Sequence, residues 1–207
     1  MRDPPTGGGT QTKRAMVFPI IRFYWIISLM KIYAIRHGLT DLNKKGLING
    51  YTDSILQLEG IQQAKMAAQF LPETIKHIYS SSLSRTKQTA EILNEKLKVP
   101  ITLHDELKEV NFGVLEGTPF LEEFKKKHRS QNYDWSPSGE SFEDVKKRVL
   151  KILREIRDKS SDGEALIVTH GGIIRLMNLL QFGMPLDEVD NASLHSFDLD
   201  KILENKG

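Results

Sequence analysis

Short apolar runs rich in isoleucine, valine and tyrosine recur along the chain between longer stretches of different spacing. Runs of this kind, bounded by polar or turn residues, are typical of buried strands. We predict five strands, at 32–36, 75–80, 100–107, 165–172 and 192–199. The fourth run has no polar residue before its threonine, so we expect it to be covered on both faces of a sheet.

The stretches between these runs carry apolar residues every three or four positions, which is the spacing of one helix face. They predict helices at 56–71, 83–97, 141–159 and 173–182. A shorter, charged helix is predicted to open at Thr118-Pro119, since proline suits the first helical position.

Two of these helices begin with capping signals. Ser141 and Asp144 have the spacing of a capping box, and a serine precedes the helix at 83–97. Strands that alternate with helices predict an α/β fold, with three α/β/α layers and a mostly parallel central sheet.

The composition fits one globular domain without a strong charge. Of the 207 residues, 39% are hydrophobic and 27% are charged, and the net charge is +2. This balance argues against nucleic acid and against an anionic membrane surface as partners. The sequence has no cysteine, which excludes disulfides and thiolate metal sites and leads us to expect a cytoplasmic location.

Residues 1–29 differ from the rest of the chain. A start rich in proline and glycine leads into an apolar run of 16 residues, which Pro19 and Arg22 interrupt. A membrane span would need about 20 apolar residues without such breaks. We interpret 1–29 as an N-terminal extension, disordered or derived from a mis-assigned start, and 30–207 as the folded domain.

Two of the predicted strands end in the same way, with apolar residues followed by His-Gly. Arg36, His37 and Gly38 end the first, His170 stands near the end of the fourth, and Arg85 follows the second. Ligands of parallel sheets bind beyond the carboxyl ends of the strands, so we expect these side chains at one edge. Arginine matches phosphate oxygens and histidine can attack phosphorus. The cluster therefore predicts a phosphoryl site.

Cleavage of a phosphate ester also needs an acid that protonates the leaving oxygen. The stretch 104–117 offers four carboxylates, which are Asp105, Glu106, Glu109 and Glu116. Spacing alone does not choose among them.

The chain resembles the histidine phosphatase (phosphoglycerate mutase-like) superfamily through five motifs in order. They are RHG at 36–38, SSLSRTKQTAEIL at 81–93, ELKEVNFGVLEG at 106–117, PSGESFEDVKKRV at 137–149 and IVTHGG at 167–172. The resemblance runs from about residue 31 to 196. It implies a phosphoglycerate mutase-like fold and catalysis through a phosphohistidine. We expect no cofactor and no metal, because the arginines already supply positive charge.

Matched position by position, the resemblance implies roles for the residues at the strand ends. His37 resembles the phosphoryl-accepting nucleophile, and Glu109 resembles the proton donor. Arg36, Arg85 and His170 resemble the phosphate pocket, in which we expect His170 to be protonated.

Other matched positions are implied to bind substrate or to support the fold. Asn43, Asn49 and Gly50 are the implied substrate-binding residues. Glu116, Glu140 and Ser141 are expected to be structural. The sequence departs from the family pattern at Leu39, Leu42 and Leu47, so the rim of the pocket is not defined by the resemblance.

We expect a phosphomonoester hydrolase that acts on a small phosphorylated metabolite, with a homodimer left open. The alternatives are a phosphoglycerate mutase, an alpha-ribazole phosphatase as a specific hydrolase, and a non-catalytic module that binds a phosphorylated ligand. Mutases of this family carry a longer insertion with extra arginines between acid and second histidine. Here 61 positions separate Glu109 from His170, and Arg129 is the only arginine between Glu109 and Arg148, which favours a hydrolase.

The segment 124–141 has two interpretations. It is either a surface helix and loop, or a lid whose Tyr133, Trp135 and flanking cations select the part of the substrate beyond the phosphate. Among the other histidines, His77 and His104 are expected at strand starts with structural roles, and His128 lies in the charged run. Substrate contact stays open for His195.

Overall fold

The computed structural model describes residues 30–160 and 164–204. The expectations for residues 1–29 therefore lie outside the described residues. No helix in the described ranges is both long enough and apolar enough to cross a membrane.

The centre of the fold is a five-stranded sheet with the order β3-β2-β4-β1-β5. The strands are β1 (Lys31–Arg36), β2 (Ile75–Ser81), β3 (Ile101–His104), β4 (Glu164–Thr169) and β5 (Leu194–Asp198). Strands β1 to β4 run parallel, and β5 pairs antiparallel with β1 at one edge. The prediction of a mostly parallel sheet is confirmed.

β4 is shorter than predicted, because its pairing with β1 ends where β1 itself leaves the sheet. The last paired residues are Arg36 and Thr169. His170 has extended dihedral angles but acts as the N-cap of the next helix, which begins at Gly171. The predicted strand over 165–172 is therefore wrong for its last three residues.

The helices lie on both faces of the sheet. They are α1 (Asp41–Lys44), α2 (Leu58–Ala68), α3 (Ser84–Leu97), α4 (Glu122–Arg129), α5 (Phe142–Lys159), α6 (Gly171–Phe182) and α7 (Leu199–Glu204). Short 3-10 turns span Asp105–Leu107 and Gly113–Leu115.

The capping box of α5 is confirmed, but two predicted helix starts are wrong. Ser141 and Asp144 exchange both capping hydrogen bonds. At α3 the N-cap is Leu83, without a side-chain cap, and Ser82, the serine expected to cap it, donates to the Asp105 carboxylate instead. The fourth helix starts at Glu122, because Pro119 forms an isolated bridge with Leu47 before the chain turns.

Alternation along β1 divides the core into two layers. Ile32 and Ala34 pack into a large cluster that includes the apolar face of α5, while Tyr33 and Ile35 pack into a second cluster with residues of α2 and α3. Successive strand side chains point to opposite faces, so both faces of the sheet are covered. This confirms the three-layer α/β/α architecture, with the polar strand ends left open at the carboxyl edge.

Candidate active site

Two adjacent strand ends bring the histidines together. β1 and β4 are parallel neighbours, so His37 and His170 leave the sheet side by side, with ring centroids 5.2 Å apart. The backbone N–H of His37 donates to the Thr169 carbonyl at 3.0 Å. This hydrogen bond continues the pairing of β1 with β4 up to the site. The two His-Gly endings therefore form one site.

The environment of His37 selects one tautomer of its ring. Its Nδ1 lies 2.8 Å from the carbonyl oxygen of Gly38. A carbonyl accepts and never donates, so Nδ1 carries the proton and Nε2 holds the lone pair. A buried imidazole held in this way has the nucleophilic nitrogen that attack on phosphorus requires.

Both site histidines are driven toward the neutral form. Burial, followed by the charges of Arg85 and Arg36, lowers the pKa of His37 well below its usual range. Burial and Arg85 lower the pKa of His170 in the same way. The surroundings of His170 thus oppose the protonated state expected from the sequence, and the charge of a phosphate dianion would have to offset them.

The half-buried Arg36 and the buried Arg85 both lie beside the histidines, but they are held differently. Arg36 lines the cavity, and its Nη1 donates to the Val189 carbonyl at 2.6 Å. The Arg85 side chain is fully buried, and it donates to the carbonyls of Gly50 at 2.6 Å and Thr52 at 2.9 Å. The Nε atoms of both arginines have no partner among the described residues.

Glu109 lies at the entrance of α6. Its Oε2 accepts from the backbone N–H of Gly172 at 3.1 Å, and its Oε1 accepts from Val110 at 3.0 Å. Arg148 of α5 holds the adjoining backbone, since it donates to the carbonyls of Lys108 and Glu109 and pairs with Glu140 at 2.7 Å. The fold therefore fixes this carboxylate beside the histidines.

Gly172 leaves the space that the Glu109 carboxylate occupies. A Cβ atom at residue 172 would collide with Oε1 of Glu109. We expect Gly172→Ala to displace the carboxylate and to lower kcat by about 100-fold, the cost of a misplacement of roughly 1 Å. Steady-state kinetics with circular dichroism would check this result. Unchanged kcat in a folded variant would contradict the placement of Glu109.

The other carboxylates of 104–117 lie elsewhere. Glu116 accepts from the backbone N–H groups of Tyr51 and Thr52, which gives it the structural position expected for it. Asp105 pairs with Lys108 and Glu106 pairs with Lys151. Geometry thus singles out Glu109, which spacing alone did not.

The three expected substrate-binding residues differ in position. Asn43 and Asn49 line the cavity, where Asn49 Nδ2 donates to the hydroxyls of Thr40 and Ser54. Gly50 lies behind the cavity, where its carbonyl accepts from Arg85. Contact of Gly50 with substrate stays a prediction.

The cavity has a volume of about 320 Å³, a size suited to a small metabolite. Its walls include side chains from α4, whose cations belong to the lid interpretation, and side chains from α6 and the loop after α6, which the sequence analysis did not identify. They are Lys125, His128, Arg129, Arg175, Asp187, Glu188, Asp190 and Asn191. The position of Arg175, three residues after Gly172 on one helix face, was the available signal.

The segment 124–141 combines features of both interpretations. The charged face of α4 lines the cavity, as a lid would. Tyr133 and Trp135 are instead buried in the larger core cluster, where Trp135 stacks on Phe124 at 5.0 Å. The aromatic residues therefore support α4, and Lys125 and Arg129 on this helix face the cavity.

The remaining histidines also differ from expectation. His104 ends β3 instead of starting it, and His77 lies within β2, stacked on Tyr79 at 4.3 Å. His195 lies on β5 and is hydrogen-bonded to Ser193, away from the residues that line the cavity.

The buried histidines predict loss of stability in acid. Burial lowers the pKa of His128 to about 3, and the charges of Arg175 and Arg129 add to this effect. Because the unfolded chain protonates near pH 6.5 and the folded site does not, stability falls below that pH by about 1.4 kcal/mol per unit for each such histidine. Above pH 6.5 the histidine is neutral in both the folded and the unfolded chain, so it no longer makes stability depend on pH.

Urea unfolding between about pH 5 and pH 8 would measure this slope. We expect His128→Gln to reduce the slope below pH 6.5 by the contribution of one histidine. Parallel curves for the variant and the parent chain would contradict a neutral, buried His128.

No group of three His, Cys, Asp or Glu side chains within residues 30–160 and 164–204 is arranged to hold a metal ion.

Comparisons with known proteins agree with this geometry. The chain is 34% identical over 165 residues to the "Probable phosphoglycerate mutase GpmB" of Escherichia coli O1:K1 / APEC, covering 76% of this chain and 77% of that protein. A crystal structure of phosphoglycerate mutase from Thermus thermophilus aligns with a TM-score of 0.67 at 31% identity, over 82% of this chain and 93% of that one.

A third relative carries a different name. The structure described as an alpha-ribazole-5'-P phosphatase from Escherichia coli K-12 MG1655 aligns with a TM-score of 0.67 at 26% identity, over 81% of this chain and 89% of that one. The family model of the histidine phosphatase superfamily (branch 1) matches residues 32–203. The chain therefore belongs to the histidine phosphatase superfamily.

Proposed function

We propose that this chain hydrolyses the phosphomonoester of a small metabolite through a phosphohistidine on His37. The observation that carries the proposal is the fixed tautomer of His37, whose Nε2 keeps its lone pair, in a cavity that Glu109 also lines. Arg36 and Arg85 supply the positive charge that phosphoryl transfer needs, so catalysis consists mainly of positioning and charge stabilisation.

The reaction has two steps. In the first, Nε2 of His37 bonds to phosphorus, the ester P–O bond breaks, and Glu109 gives its proton to the departing alcohol. In the second, Glu109 takes a proton from water, the water oxygen bonds to phosphorus, and the P–N bond breaks to release phosphate. His170, whose Nδ1 has no hydrogen-bond partner among the described residues, donates to a phosphoryl oxygen from its place beside His37.

A phosphoglycerate mutase is the second candidate, because relatives of this chain carry that name. A mutase returns the phosphoryl group to a second hydroxyl, whereas a hydrolase transfers it to water. An alpha-ribazole phosphatase is a specific form of the first candidate, supported by the name of another relative.

The absence of cysteine supports a reducing compartment such as the cytoplasm.

Phosphate release from a panel of sugar phosphates, phosphoglycerates, nucleotides and α-ribazole phosphate, with and without EDTA, tests the proposal. We expect hydrolysis of at least one class that EDTA leaves unchanged. Interconversion of phosphoglycerates without phosphate release would favour the mutase, and activity lost with EDTA would contradict the mechanism.

A further inference from the structure

The tautomer of His37 depends on the orientation of one peptide group, the one that joins Gly38 to Leu39. Its carbonyl oxygen lies 2.8 Å from Nδ1 of His37 and keeps the proton on that nitrogen. Its N–H belongs to the same rigid plane and points the opposite way, because the peptide is trans. Whatever binds the N–H of Leu39 therefore also fixes the carbonyl that faces the nucleophile.

Reversal of this peptide group costs less here than at most positions. Gly38 has no Cβ atom, so the backbone beside it can rotate with little steric penalty. A reversed peptide would present the N–H of Leu39, and not a carbonyl, to Nδ1 of His37. A ring nitrogen that faces a donor must accept, so the proton would move to Nε2 and the lone pair that attacks phosphorus would be lost.

A glutamine of α2 holds the N–H of this peptide. The N–H of Leu39 donates to Oε1 of Gln63 at 2.9 Å. The helix can come this close because Gly60 stands one turn earlier on the same helix face, and a Cβ atom at residue 60 would collide with the backbone of Leu39. The N–H of Gln57 donates to the Leu39 carbonyl at 2.9 Å. The start of α2 therefore packs directly against the loop that follows the nucleophile.

The preceding peptide group is held from α3. The N–H of Gly38 donates to Oγ1 of Thr89 at 3.2 Å, and that hydroxyl donates to the Arg85 carbonyl at 2.7 Å. A single peptide group can reverse while its neighbours stay in place. The bonds of Thr89 and Gln57 therefore fix the path of the chain, whereas the bond of Gln63 fixes the direction of the Gly38 carbonyl.

We propose that Gln63 is a positioning residue for the nucleophile, because its amide oxygen orients the 38–39 peptide and thereby keeps the lone pair of His37 on Nε2. The Gln63 side chain is half-buried and does not line the cavity, so it acts through the peptide and not on a substrate. A reversed peptide would turn its carbonyl toward Oε1, and two acceptors repel one another. The inference rests on the proposed function for its kinetic readout.

The ring nitrogens of His37 test the proposal without turnover. Nitrogen NMR distinguishes a protonated ring nitrogen from one that holds a lone pair, and the signals of His37 are those that His37→Ala lacks. At about pH 8, where histidine is neutral, the parent chain should carry the proton on Nδ1. Gln63→Met should place part of the molecules in the other tautomer. Gln63→Glu should keep the parent tautomer, because a carboxylate also accepts from Leu39.

Kinetics measure the same effect during turnover. Loss of one orienting hydrogen bond should lower kcat by about 3- to 10-fold in Gln63→Met, with KM nearly unchanged because the two site arginines are untouched. Gln63→Glu should return kcat toward the parent value. Gln62→Met is the matched control, since Gln62 is the neighbouring glutamine of α2 and is exposed. It should change neither the tautomer nor kcat, and methionine suits a helix as well as glutamine does.

The two readouts separate this proposal from the proposed function. If the parent chain hydrolyses no phosphomonoester but Gln63→Met still shifts the tautomer, the positioning role stands and the hydrolase proposal fails. An unshifted tautomer in a folded Gln63→Met would overturn the positioning role even in an active hydrolase, and so would an equal shift in Gln62→Met. Gln63→Ala, which also removes the amide, repeats the measurement if methionine perturbs the fold.

Discussion

Replacing His37 with alanine is expected to lower kcat for phosphomonoester hydrolysis by about 10⁴-fold or more, as when a covalent nucleophile is removed from other hydrolases. The physical reason is that the Nε2 lone pair of His37 is lost. His170 lies beside His37 but is not among the residues that line the cavity. Phosphate release measured over long incubations would quantify the loss.

Trapping of the intermediate makes this test specific. The parent chain, quenched in base during turnover, should carry an acid-labile phosphoryl group that His37→Ala lacks. His195→Ala is the matched control, because His195 is hydrogen-bonded to Ser193 on β5 and does not line the cavity. It should keep both activity and labelling. Labelling that persists in His37→Ala would place the nucleophile elsewhere.

Glu109→Gln is expected to separate the two chemical steps. An alkyl alcohol leaves phosphorus poorly without a proton, so hydrolysis of glycerol 3-phosphate should fall by about 10²- to 10⁴-fold. p-Nitrophenolate leaves without one, so p-nitrophenyl phosphate should still transfer its phosphoryl group to His37. The amide oxygen of glutamine can still accept from Gly172, although its amide nitrogen cannot accept from Val110 as the carboxylate does.

Rapid mixing would show this difference directly. Glu109→Gln should release one equivalent of nitrophenol in a burst and then turn over slowly, because water is no longer activated and the phosphoenzyme accumulates. Glu106→Gln is the matched control, since Glu106 pairs with Lys151 outside the cavity. An equally slow first turnover on both substrates would show that Glu109 only positions the site.

Much of the fold was predictable because its signals are local. The apolar stripe and capping box of α5 and the continuous apolar run of β4 each follow from one stretch of sequence. The errors arose where tertiary contacts decided the outcome. Pro119 pairs with Leu47 instead of opening a helix, and Ser82 bonds Asp105 instead of serving as a cap.

The site residues divide in the same way, into those that a local sequence signal identified and those that only tertiary contacts bring to the cavity. Strand ends identified Arg36, His37 and His170, because parallel neighbours share an edge. The sequence left α4 open between a surface helix and part of a lid, since a charged run with few apolar residues also has the sequence signature of a solvated helix. Only burial of Phe124 under its aromatic neighbours turns that helix toward the cavity.

The strand order has a consequence for how the molecule is assembled. β1 has β4 and β5 as its sheet neighbours, so its first partner begins at Glu164, more than a hundred residues later. Strands that are this far apart in the sequence pair late in folding, because closing the long loop between them costs conformational entropy. A nascent chain on the ribosome would therefore carry His37 long before the rest of the site could form around it. The proposed activity would begin only when the C-terminal strands have emerged.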